Sequence, residues 1–136
     1  MSGARFLLAV SLGLTACDRA AALGPALPAV TLTDERYKGL VFLVATVRSV
    51  GTQFLVTNES TQPWQDITFA IAATDGDEYH LHMSEVAAGQ SVIVDPSRFT
   101  GPRGLPFSPQ RVMARTFIIA AEIGEGGPTG VFAVRL

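Results

Sequence analysis

The chain has 136 residues, 48% of them hydrophobic and 16% charged, with a formal net charge of −2. That is one domain's worth of chain, too apolar for a disordered segment and too poor in charge for a nucleic-acid surface. The one cysteine, Cys17, rules out an internal disulfide.

The first segment has the layout of an export signal. Arg5 precedes an apolar run from Phe6 to Leu14, too short to span a bilayer as a stable helix. The run ends in Leu14-Thr15-Ala16-Cys17. By layout alone this fits a plain secretory signal, or a cysteine buried in an N-terminal helix. The four residues also resemble the lipobox of bacterial lipoproteins, with Cys17 at the invariant position. The resemblance implies that residues 1–16 are removed as a signal peptide. It also implies that the Cys17 thiol carries diacylglycerol and that the new amine is acylated, so acyl chains such as palmitate hold the protein. Two or three chains anchor firmly, each buried methylene contributing about 0.8 kcal/mol. In enterobacterial lipoproteins an acid at the place of Asp18 favours the inner membrane over the outer. The implied address is the cell envelope, with the domain facing the periplasm.

Residues 17–38 follow as an expected tether, rich in alanine and proline and without a clear period. A short helix over Arg19–Leu23 is the alternative for its first part. Residues 39–136 are the expected domain. Leu40–Arg48 reads as the first strand and Ser49-Val50-Gly51 as a turn. The central stretch Thr52–Thr74 reads as two strands joined across a Pro63–Trp64 corner. Phe54 and Val56 alternate with Leu55 and Thr57; Ile67, Phe69 and Ile71 alternate with Thr68, Ala70 and Ala72. Trp64 is expected to anchor the core, because a ring of that size dominates burial in a small domain.

Asp75-Gly76 signals a hairpin into a strand from Tyr79 to Met83. Ala87–Gln90 is a turn, and Ser91–Asp95 another strand. Residues 97–110 carry Pro102, Pro106 and Pro109 and read as an irregular crossover, pinned to the core by Phe99, Leu105 and Phe107. Val112–Ile123 and Val131–Leu136 complete the set. About seven strands in about 100 residues match an immunoglobulin- or fibronectin III-like β-sandwich. The pattern Leu55-Val56-Thr57-Asn58, Trp64, Ile67, Ala88-Gly89-Gln90-Ser91, Phe99, Gly104, Phe107 and Pro109 resembles a small domain of uncharacterised bacterial envelope proteins. That resemblance implies a fold and no activity.

Candidate sites are few. His80 and His82 fall on one face of a strand with Glu78, the beginning of a metal site if further carboxylates converge. The alternative is an exposed polar face opposite Tyr79, Leu81 and Met83. Asp75, Asp77 and Glu78 lack the spacing of a calcium loop and read as a solvated turn. Arg98, Arg103, Arg111 and Arg115 follow a long stretch without basic residues, and would form an interaction patch if they gather in space. Otherwise they pair with acids across the sandwich. No nucleophile elbow or phosphate-binding glycine loop is present, and Ser84 beside His82 has poor geometry for a triad.

The sequence therefore predicts a lipid-anchored, non-enzymatic envelope protein whose β-sandwich serves as a protein-binding or structural module. The covalent lipid on Cys17 is its only expected cofactor. Its expected partners are the membrane and another envelope protein, not nucleic acid. The alternative is a periplasmic metal-binding domain using His80 and His82.

Overall fold

The computed structural model describes residues 23–136. Nine strands lie there: β1 (Leu23–Ala26), β2 (Val41–Phe42), β3 (Ala45–Val50), β4 (Gln53–Asn58) and β5 (Trp64–Ala73), then β6 (Glu78–Val86), β7 (Ser91–Val94), β8 (Ala114–Ile123) and β9 (Thr129–Arg135). They form two packed sheets, β2-β9-β8-β5-β6 and β1-β3-β4-β7. The chain is an all-β sandwich. Strands β3 to β9 give the immunoglobulin-like order, three strands facing four, with the chain changing sheets after β4, β6 and β7.

The central pair forms as expected but divides between the sheets, β4 in one and β5 in the other. Asn58 marks the corner. Trp64 at the start of β5 is fully buried, as are Ile67, Phe69 and Ile71. Trp64 and Ile67 differ in parity, so a regular strand would put them on opposite faces. The β5–β8 ladder slips by one residue between Gln65 and Thr68, and Asp66 takes a φ of 50°. This β-bulge turns both side chains inward. Strand β6 keeps step with β5, so Val86 joins Tyr79 in the core.

Between the sheets, Phe117 of β8 gathers the aromatic rings. Its centroid lies 4.9 Å from Phe54, 5.8 Å from Phe69 and 6.3 Å from Phe99. Burying a side chain of this size contributes roughly 1.5–3 kcal/mol. Phe99 and Phe107 pin the crossover loop to the core; Leu105, expected beside them, is instead exposed. It sits in the short hairpin Thr100–Pro106, whose backbone pairs with β6 at His80 and turns Leu105 outward.

Two further expectations are corrected. Leu40–Arg48 is not one strand. Val41–Phe42 pairs in parallel with β9; Leu43 then turns into the core, and Ala45 opens β3 in the opposite sheet. A run apolar on both faces carries no mark of such a switch. Secondly, residues 23–38 are not a free spacer. Strand β1 pairs with β3, and the Val30 amide donates to the Ala133 carbonyl at 2.9 Å. Val30, Leu32, Tyr37 and Leu40 then pack on Ala70, Ile118, Val131 and Ala133, the outward side chains of the larger sheet. This strap gives that sheet a second, smaller core. With β1 and the divided strand, nine strands replace the expected seven.

Candidate functional site

Asp75-Gly76 forms the expected hairpin, with Gly76 at a φ of 91° that a side chain would oppose. Strand β6 leaves it carrying Glu78, His80 and His82. The three share a face, as the period of a strand requires, but they do not converge. Glu78 is held by the strap: Arg36 donates to both of its carboxylate oxygens, at 3.1 and 2.6 Å. Arg36 also pairs with Asp34 at 3.1 Å and lies 5.0 Å over the Tyr37 ring. The guanidinium hydrogen bonds hold the Glu78 carboxyl below its ordinary range, and Asp34 is lowered for the same reason. The two carboxylates in turn raise Arg36. Burial raises the Tyr37 phenol.

His80 Nε2 lies 3.2 Å from Glu78 Oε1, whereas His82 Nδ1 meets the Thr68 hydroxyl at 3.1 Å. The two imidazoles thus use different partners. Among the described residues no three of His, Cys, Asp and Glu gather as a metal would need. Ser84 is exposed, and among the described residues the Asp75 side chain accepts only from the Asp77 amide, in an open turn.

The four arginines go to one end of the sandwich. Arg98 follows the close of β7, Arg111 precedes β8, and Arg115 stands at its start. The hairpin bearing Arg103 runs antiparallel to β6, which directs its tip toward the beginning of that strand. All four are exposed, and none forms an ion pair among the described residues. The expected alternative, pairing with acids across the sandwich, is not what the side chains do. Arg111 donates to the Pro106 carbonyl at 2.7 Å.

Sequence reasoning missed three features. One is the strap with its Arg36–Glu78 contact, which joins residues 42 apart in the chain. Another is an apolar mouth of about 410 Å³ between the sheets at the arginine end, floored by Phe54, Ile71 and Phe107. The third is Phe42, 74% exposed beside Val41 and Val44, next to a groove of about 470 Å³ between strap and sheet. The unbroken apolar run Leu40–Val44 was its only sequence signal, and a run without parity does not show which side chains stay outside.

Cys17, the signal peptide and the lipobox lie outside the described residues. Among the described residues no helix is long and apolar enough to cross a membrane. No protein-family model, no curated protein and no solved structure matches the chain.

Proposed function

We propose that this chain is a lipid-anchored, non-enzymatic protein of the bacterial envelope, its β-sandwich acting as a protein-binding or structural module. One observation carries the reading: Leu14-Thr15-Ala16-Cys17 closes an apolar run that is preceded by Arg5. Acylation of Cys17 would place the domain on the periplasmic side of the membrane. The binding half draws support from Val41 and Phe42, exposed on the edge strand β2, and from Val44, exposed in the connection that follows it. Clustered surface of this kind is what protein contacts use. The metal-binding alternative would need Glu78 to leave Arg36, and His80 and His82 to exchange their present partners for a common ligand.

Labelling with radioactive palmitate tests the anchor. Wild-type protein is expected to take up label and to sediment with membranes, while Cys17→Ser takes up none. Label in neither protein would end the anchored reading. For binding, cross-linking in intact envelopes should trap a partner that Phe42→Asp loses; equal capture by both would remove Phe42 from the contact.

A further inference from the structure

We infer that the arginine-bearing end of the sandwich rests against an anionic phospholipid surface. The topology sets the two ends apart. At one end lie the β3–β4 turn, the β5–β6 hairpin, the close of β7, the start of β8 and the end of β9. That end carries Arg48, Arg98, Arg103, Arg111, Arg115 and Arg135 against Asp75, Asp77 and Asp95, while Arg36 is held by Asp34 and Glu78. At the opposite end, among the described residues, Glu59, Asp66, Glu85, Glu122 and Glu125 occur with no arginine. Lys38, the one lysine, pairs with Glu35 on the strap. An anionic surface attracts the first end and repels the second.

Charge is joined there by exposed apolar surface. The mouth between the sheets opens at this end, lined by Leu27, Phe54, Ile71, Phe107, Val112 and Met113. Met113 is 71% exposed at its rim, directly between Arg111 and Arg115 in sequence. Cations flanking an exposed apolar side chain suit the boundary between headgroups and acyl chains. The path of the chain agrees. Leu23 pairs with Val50 at this same end, so Cys17, six residues earlier, lies within the reach of that length of chain. At about 3.6 Å per residue that reach is roughly 20 Å. A lipid on Cys17 and the arginine end can therefore meet one membrane together.

The inference rests on the anchored reading for its setting, and the experiment separates the two. The full chain carrying Cys17→Ser has no thiol to acylate. It is mixed with vesicles of phosphatidylcholine alone or with phosphatidylglycerol added. Met113→Trp, in that background, reports the end through its emission and through quenching by brominated acyl chains. Trp64 is fully buried and begins β5 at the far end, so it serves as a constant background. The introduced indole is expected to shift blue and to be quenched on the anionic vesicles, and not on the neutral ones. Adding Arg98→Gln, Arg111→Gln and Arg115→Gln should weaken the effect about fivefold for each charge that reaches the surface. High salt should abolish it. Glu125→Trp, at the acidic end, should show no quenching. Equal quenching on neutral vesicles, in the arginine variant, or at Glu125→Trp would overturn the inference. So would no quenching at all, the outcome expected if these arginines instead meet an acidic protein.

Discussion

The side-chain amide of Asn58 donates to the carbonyl of Val86 at 3.2 Å, tying the β4–β5 corner to the turn that follows β6. The same nitrogen also reaches Gln62 O at 2.9 Å and Ala87 O at 3.3 Å, while Oδ1 accepts from the Ser60 amide and hydroxyl. Asn58 is the one polar side chain fully buried in the described core. Its backbone bonds to Gln90 O and the Gly89 amide close the junction. A buried polar group is tolerated when every donor and acceptor has a partner, and here each does.

Asn58→Ala is expected to destabilise the domain by about 2–4 kcal/mol, since it removes the bonds that hold the corner together and takes from the buried Val86 carbonyl its side-chain donor. Asn58→Asp should cost a similar amount at neutral pH, because a carboxylate accepts but cannot donate to those three carbonyls. Urea unfolding followed by the fluorescence of Trp64 measures both. A cost below about 0.5 kcal/mol, the range of an ordinary surface change, would mean that the corner holds without this side chain. Asn58-Glu59-Ser60 also has the form of a glycosylation sequon, but its asparagine is wholly engaged inside the fold.

Gly101 lies against the Tyr79 ring. A Cβ added there would stand 2.5 Å from two ring carbons, although the φ of −112° suits any residue. The demand is for space alone. Gly101→Ala must push the Thr100–Pro106 hairpin from the β6 edge, breaking the paired bonds between His80 and Thr100. A loss of about 1–3 kcal/mol is expected. Tyr79→Leu in the same protein should recover part of it by freeing that space. Hydrogen exchange at the His80 amide reads the displaced hairpin directly.

The parts of this fold legible in the sequence are those in which one local rule acts alone. Alternation places Phe69 and Ile71 inward, and Asp75-Gly76 can do little but turn. Trp64 was identifiable as core by size, yet the bulge that puts it there depends on its neighbours' register. Leu40–Arg48 misleads for the opposite reason: a run apolar at nearly every place shows no parity, so the switch at Leu43 leaves no trace. The strap is harder still. Val30, Leu32, Tyr37 and Leu40 bury one side of an irregular backbone, which has no period to detect. The arginines showed in the sequence as a lopsided charge distribution, but only the strand order reveals that they share one end.

The Arg36–Glu78 contact makes the strap sensitive to acid. Glu78 ionises below its ordinary value of 4.5 in the folded chain because Arg36 bonds to its carboxylate. A lowered folded-state value stabilises above the unfolded-state value and is lost as pH falls through the folded one. The contribution should thus be complete above about pH 4.5 and vanish in stronger acid. Both side chains retain solvent contact, so the pair is expected to be worth no more than about 1 kcal/mol. Arg36→Gln should be less stable than wild type at neutral pH, and the two should converge as the solution is acidified. A constant gap between them across that range would mean that Arg36 acts through packing on Tyr37. At neutral pH the variant should also exchange its Val30 amide faster, because that hydrogen bond to Ala133 belongs to the strap.

The bulge at Asp66 offers a test of how the core is set. Its φ of 50° lies in the left-handed region, which aspartate and asparagine tolerate better than branched residues do. The side chain is exposed, so replacing it disturbs the backbone preference more than the packing. Asp66→Val is expected to cost about 1–2 kcal/mol, and Asp66→Asn almost nothing. Asp66→Gly sets relief of the strain against a looser unfolded chain and should fall close to wild type. Were the bulge to straighten under Asp66→Val, Trp64 and Ile67 would be driven to opposite faces, and the one indole would reach water. Its emission separates the two responses. An unshifted spectrum with reduced stability means a strained bulge still in place, whereas a red shift means that the register has moved and that the residue at 66 chooses which side chains make the core.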